Sequence, residues 1–175
     1  MKTDDAKALI APGIPAATHN SRWADLGCGS GIFTTALAGL LQSGSKIYAV
    51  DKENLGQEIP GGENVEIEFL VLDFITDAFP FSALDGILMA NSLHFVKDKS
   101  GFIEKLKRHL TSKGHLIIVE YDTDRHNRWV PYPISFANLA KTFSAAGFTS
   151  IKKIGERNSV YRPEKIYASR LRVNH

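Results

Sequence analysis

Asp25, Asp51, Asp73 and Asn91 each close a short apolar run, and three glycines at 27, 29 and 31 follow the first of them. From Arg22 to Thr34 the chain reads Arg-Trp-Ala-Asp-Leu-Gly-Cys-Gly-Ser-Gly-Ile-Phe-Thr. It starts as a strand, passes through alternate glycines and enters an amphipathic helix. Glycine is needed where backbone must approach a ligand closely or where φ must be positive. A strand, a glycine turn and a helix start form a nucleotide-type site, with free backbone N–H groups turned to the ligand. The dinucleotide fingerprint Gly-x-Gly-x-x-Gly is not met, because Ile32 stands where its third glycine belongs. Asp25 suits a cationic ligand and would face a pyrophosphate badly.

The elements that must position these residues follow from periodicity. Pro12, Gly13 and Pro15 break a helix begun over 4–10. After the glycine loop, Ile32, Ala36, Leu37, Leu40 and Leu41 recur at helical spacing, with Gly44 as the stop. Residues 47–50 form a buried-type strand that ends at Asp51. A weak helical turn and a Pro60-Gly61-Gly62 turn come next. Further strands are expected over 65–72, 84–90 and 115–119. Ser100 is the expected cap of a helix with Phe102, Ile103, Leu106 and Leu110 on one face, followed by Gly114. Residues 121–133 are a polar and aromatic loop. Leu139, Phe143 and Ala146 mark a last helix, closed by Gly147. The strands 148–154 and 165–171 then pair through a turn at Arg157-Asn158.

Strands alternating with helices predict an α/β fold with a mostly parallel sheet, and the last two strands an antiparallel edge pair. In such sheets ligands bind beyond the strand C-termini, where Asp25, Asp51, Asp73 and Asn91 all fall. The 175 residues suit one domain, and 43% hydrophobic content suits one sizeable core. A net charge of +2 is too small to argue for nucleic acid. The single cysteine excludes a disulfide framework and a thiolate zinc site. The acidic start Met1-Lys2-Thr3-Asp4-Asp5 is no signal peptide, and no apolar run reaches membrane-span length. A soluble, cytoplasmic protein is expected.

The segment Asp25-x-Gly27-x-Gly29-x-Gly31 behind a hydrophobic strand resembles the first motif of the Rossmann-like S-adenosylmethionine-dependent methyltransferases. The likeness runs from about residue 20 to 171 and is nearest to the ubiquinone-biosynthesis-like, type 11 group. It implies a three-layer α/β/α fold with a mostly parallel seven-stranded sheet and an antiparallel C-terminal edge hairpin. It implies S-adenosylmethionine as cofactor and S-adenosylhomocysteine as product. Asp25, Gly27, Cys28, Gly29 and Gly31 would hold it, and Asp51, an acceptor-only carboxylate, would take both ribose hydroxyls. Lys52 or Glu53 would lie near the adenine. Asp73 would accept from its amino group and Phe74 would wall its ring. Asn91 would lie near the methionine part. The competing reading of these acids is a set of solvated strand ends. Cys28 is read as structural, a small residue beneath the cofactor.

His94, in Asn91-Ser92-Leu93-His94-Phe95, is the histidine placed to take a proton from an attacking hydroxyl or amine. The competing reading, which we favour, packs it inside the domain. No proline follows Asn91, which argues against the DNA and protein amide methyltransferases. Arg125, Arg128, Trp129 and Tyr132 are candidate substrate contacts, against the alternative of a solvated loop. Asp122, Asp124 and His126 alternate as a metal site would require, yet no metal is expected. Lysines and arginines cluster around 97–113 and 152–165, including Arg157 and Arg162. Interspersed acids suggest a solvated surface rather than a nucleic-acid face.

The expected reaction is in-line methyl transfer to a small-molecule acceptor. The alternatives are an RNA or protein acceptor, a cofactor-binding module without turnover, and a nicotinamide-dependent oxidoreductase. Few residues are free to build an acceptor pocket. The site is therefore open to a large substrate, covered by a second subunit as in a homo-oligomer, or closed by the N-terminal segment.

Overall fold

The computed structural model describes residues 1–16, 19–54, 59, 64–159 and 163–173. Its elements are α1 (Thr3–Ile10), β1 (Arg22–Leu26), α2 (Ile32–Ala38), β2 (Lys46–Asp51), β3 (Glu66–Val71), β4 (Leu84–Ala90), α3 (Lys99–His109), β5 (Leu110–Tyr121), α4 (Phe136–Ala145), β6 (Phe148–Asn158) and β7 (Lys165–Val173). The sheet has seven strands in the order β3-β2-β1-β4-β5-β7-β6. β7 runs antiparallel to both neighbours, and the remaining pairings are parallel. The expected mostly parallel sheet with an antiparallel edge hairpin is what forms. From β1 the chain works outward to β3, then restarts at β4 on the other side. The switch point therefore lies between β1 and β4.

One apolar core lies under α3 and α4, the other under α1 and α2. Both faces of the sheet are covered, as a parallel sheet requires. Burial of β1 is nearly complete, and Trp23 within it is 1% exposed. That indole lies against Gly86 of β4. A Cβ added to Gly86 would sit 2.2 Å from the ring, so the central strand pair closes only over a glycine. β3 is an edge strand with half-exposed residues on both faces.

Several boundaries differ from expectation for local reasons. α2 ends at Ala38, well before Gly44, whose φ of 82° makes a turn into β2. The cap of α3 is Asp98 rather than Ser100, its carboxylate accepting the Gly101 N–H at 3.1 Å. β5 starts at Leu110, without a break at Gly114. Its register slips between Leu84/Leu110 and Gly86/His115, so residues 111–114 form a bulge. The last hairpin does not turn at Arg157-Asn158, since both belong to β6 and pair with β7. The expected Pro60-Gly61-Gly62 turn and Arg162 lie outside the described residues. Among the described residues, no helix is long and apolar enough to cross a membrane.

The lysine-rich stretches are largely engaged within the fold. Lys105 Nζ donates to the carbonyls of Phe74 (2.9 Å) and Asp77 (2.6 Å), tying α3 to the loop after β3. Lys107 caps the end of α4 at Ala146 O, 2.9 Å. Lys153 pairs with Asp122 and Glu156, and Lys165 with Glu156. Asp122 and Asp124 also accept the N–H groups of Phe136 and Ser135, both at 2.9 Å, at the start of α4. These two acids serve a helix terminus. Among the described residues no cluster of metal-ligating side chains forms.

Candidate functional site

A cavity of about 630 Å3 runs across the C-terminal ends of the strands. At one end it is lined by the glycine loop, Asp51 and Lys52 after β2, and Asp73, Phe74 and Ile75 after β3. Asn91, Ser92 and Phe95, after β4, form its middle. Tyr121 of β5, Ile166 of β7, Arg157 and Asn158 of β6, and Met1 form the far end.

The glycine loop takes its shape from three positive φ values, 79° at Gly27, 52° at Gly29 and 76° at Gly31. The three glycines serve different neighbours. A Cβ on Gly27 would lie 2.6 Å from Ser92, and one on Gly31 would lie 2.7 Å from Ile59. A Cβ on Gly29 would meet nothing within 4 Å, so this position borders open space. Gly27 and Cys28 donate their N–H groups to Val50 O at 2.8 and 3.0 Å. Gly31 donates to Cys28 O at 2.9 Å, and Gly29 to Asp51 Oδ2 at 2.8 Å. These four loop amides are thus turned to protein acceptors, while the N–H groups of Ile32 and Phe33, in the first turn of α2, precede the first intrahelical hydrogen bond, from Thr35 N to Gly31 O. Gly31 is the N-cap of α2 and does not line the cavity.

Asp25 also departs from expectation. It is fully buried behind the loop and does not line the cavity. Its Oδ2 accepts the Thr34 hydroxyl at 2.6 Å, while Oδ1 is buried without a partner. Burial pushes the carboxyl up to about 7, against the Thr34 hydrogen bond and with a further push from the Asp51 charge. Asp25 therefore ties β1 to α2. The Cys28 thiol lines the cavity, and burial raises its pKa well above the usual range, as do the Asp25 and Asp51 charges. It is held as the neutral thiol.

Asp51 sits at the cavity wall with Oδ2 on Gly29 N and Oδ1 on Glu53 N, 3.1 Å away. Asp73 Oδ1 accepts Ile75 N at 2.8 Å, shaping the turn that presents Phe74 and Ile75. Asn91 has φ 54°, and its Oδ1 is buried without a donor. Ser92 locks the wall to β1 through Leu26 O at 2.6 Å.

His94 is 3% exposed and is not part of the cavity lining. Glu120, buried in β5, accepts its backbone N–H through Oε1 at 3.1 Å and meets its Nδ1 through Oε2 at 2.8 Å. The packed reading of His94 is the one this geometry matches. Glu120 escaped the motif reading, although an acid ending the run Ile117-Ile118-Val119 was the signal for it. Arg125, Arg128, Trp129 and Tyr132 also lie outside the lining. Arg128 stacks on Trp129, and the loop is moored where Tyr132 N donates to His94 O at 2.9 Å.

A family model described as a methyltransferase domain matches residues 24–118. The chain belongs to the S-adenosylmethionine-dependent methyltransferases. Solved structures agree at the level of fold. YcgJ from Bacillus subtilis has a TM-score of 0.72 at 13% identity, over 98% of this chain and 99% of that one. The 1,6-didemethyltoxoflavin-N1-methyltransferase of Burkholderia thailandensis was solved with 1,6-didemethyltoxoflavin and S-adenosylhomocysteine. It gives 0.67 at 19% identity, over 99% and 78%. The [4+2]-cyclase SpnF gives 0.72 at 15% identity, over 98% and 81%. No curated protein sequence matches significantly. In this methyltransferase the matched segment carries the glycine loop, Asp51, Asp73 and Asn91. The residues sequence reasoning missed at the far end of the cavity, Met1, Tyr121 and Ile166, lie outside that segment. Three different elements bring them together, so no local motif marks them.

Proposed function

We propose that this chain transfers the methyl group of S-adenosylmethionine to a small-molecule acceptor by in-line displacement. The observation that carries the reading is a single cavity with two unlike halves. The half over β1–β3 holds the glycine loop, Asp51 and Asp73, and the half over β4–β7 sets Met1, Phe95, Tyr121 and Ile166 beside Asn91, Ser92, Arg157 and Asn158. A shared fold with a cyclase means the reaction must be argued from this site.

The residues present fit the cofactor. Gly29 leaves open space where a ligand can lie on the backbone. The amides of Gly27, Cys28, Gly29 and Gly31 are engaged by protein acceptors, which leaves the first-turn amides of α2 for a ligand. Ile32, standing where the dinucleotide fingerprint needs its third glycine, disfavours a dinucleotide. Each Asp51 oxygen accepts one N–H and keeps a second lone pair for a ribose hydroxyl. Phe74 and Ile75 offer an apolar wall for a purine, with Asp73 and Lys52 beside it. Asn91 Oδ1 lacks a donor that an α-ammonium group can supply. When bound, the cofactor supplies a methyl group activated by a sulfonium.

The chain's part is positioning and water exclusion. Asn91, Ser92 and Phe95 form the wall between the halves, and Glu120 with His94 holds that wall from behind. His94 has no place in the lining, so the proposed catalysis does not rest on an imidazole base. Arg125, Arg128, Trp129 and Tyr132 would touch only an acceptor that extends past the rim.

The test is calorimetric titration with S-adenosylhomocysteine, NAD and NADP. Only S-adenosylhomocysteine is expected to bind. Asp51→Ala is expected to weaken it at least about tenfold, as loss of hydrogen bonds to a charged acceptor does. Binding of a nicotinamide cofactor, or of none of the three, would refute the reading.

A further inference from the structure

With S-adenosylmethionine proposed for one half of the cavity, the other half is left for an acceptor, and its assignment rests on that reading. Met1, Phe95, Tyr121 and Ile166 give this second half apolar and aromatic walls. At its far end stands Arg157 of β6, the one arginine among the described lining residues. Its side chain is 28% exposed, so its charge is partly withdrawn from water. The lining acids, Asp51 and Asp73, stand at the opposite end, after β2 and β3, with Lys52 beside them.

The partner of Arg157 is Asp5 of α1, with Nη1 and Oδ2 3.3 Å apart. Asp5 is 46% exposed, and the Lys2 N–H and the guanidinium hold it in its charged form. Exposed ion pairs of this kind are weak and exchange readily. The pairing follows from close packing of α1 on β6. A Cβ on Gly155 would lie 2.9 Å from Leu9 Cδ1 and 3.0 Å from Leu9 O, so the helix rests directly on this strand. A strand glycine here serves that approach. The docking of this helix thus sets Asp5 against Arg157, with Met1, just before the helix, in the cavity lining.

A slot with apolar walls and a guanidinium at its end recognises an apolar body with an acidic group. We infer that the acceptor is a small apolar acid whose carboxylate, sulfonate or phosphate displaces Asp5 from Arg157, leaving its methylated atom toward the Asn91 wall. The guanidinium is then a specificity residue, and Asp5 is the placeholder that neutralises it when no acceptor is bound.

Two fluorescent probes test this in protein saturated with S-adenosylhomocysteine. The first, 8-anilinonaphthalene-1-sulfonate, is an apolar acid. The second, N-phenyl-1-naphthylamine, has the same rings without the acid. The wild type is expected to bind the acid at least about tenfold more tightly than the neutral probe. Arg157→Gln should abolish the preference, and Arg157→Lys should keep much of it, which separates loss of charge from loss of fold. Asp5→Asn should tighten binding of the acid several-fold. Equal binding of the two probes by the wild type, or a preference unchanged in Arg157→Gln, would overturn the inference. So would a fall of more than about tenfold in S-adenosylhomocysteine affinity in Arg157→Gln, which would assign the guanidinium to the cofactor. If the wild type does not bind S-adenosylhomocysteine, the cofactor reading falls and this inference with it. If it binds and the probe preference is missing, this inference falls alone.

Discussion

Asp25 keeps a proton at a pH where ordinary carboxylates have lost theirs, because it is sealed between β1 and α2. Its folded pKa of about 7 lies above the unfolded value of 3.8, so between these values the folded state holds more protons. Stability from this group is therefore present at low pH and is lost as pH rises from about 4 to about 7. Asp25→Asn removes that slope. Denaturant unfolding at pH 4 and pH 8 should show the variant gaining on the wild type by on the order of 3 kcal/mol at the higher pH. A constant difference across that range would show that Asp25 is ionised in the folded protein. The motif marked Asp25 as an acid facing a ligand. Its depth in the fold could not be seen, since burial depends on how Thr34 and the strands around it close. Asn91 and Asp51 were legible because strand ends in an α/β sheet face one way.

Gly86 and Trp23 show what packing adds to pattern. The alternation of apolar runs placed β4 correctly at 84–90, but nothing local marked Gly86 as the seat of an indole from β1. Gly86→Ala puts a methyl into that ring. It should lower the unfolding free energy by about 1–3 kcal/mol, as overpacking does, measured by urea titration. Full native stability in this variant would mean that β1 and β4 are not locked through Trp23. The boundaries that sequence reading missed were set by neighbours. Leu110 pairs with Leu84 and draws the residues after α3 into β5. Asp98 takes the cap from Ser100 because its carboxylate reaches the Gly101 N–H. The turn expected at Arg157-Asn158 gives way to ladder pairing with Ile166 and Lys165.

At the scale of the molecule, β1 and β4 lie at the switch point, each flanked by strands on both sides, while β3 is a half-exposed edge. Hydrogen exchange should therefore be slowest in β1 and β4 and faster in β3. Slowest exchange in β3 would contradict this layering. The large exposed apolar side chains Val71, Ile75, Phe95, Trp129 and Tyr132 all lie at or after strand C-termini, so the apolar surface of the domain gathers at the cavity end. The far end of that cavity draws on parts of the chain that the cofactor half does not use, although Phe95 of the middle wall lies with the cofactor half in sequence. The glycine loop, Asp51, Asp73 and Asn91 fall within 24–118, whereas Met1, Asp5, Tyr121, Arg157 and Ile166 fall outside it. On the acceptor site proposed above, substitutions in those outer segments would change what the far end accepts while the glycine loop, built from a separate stretch of chain, keeps its backbone.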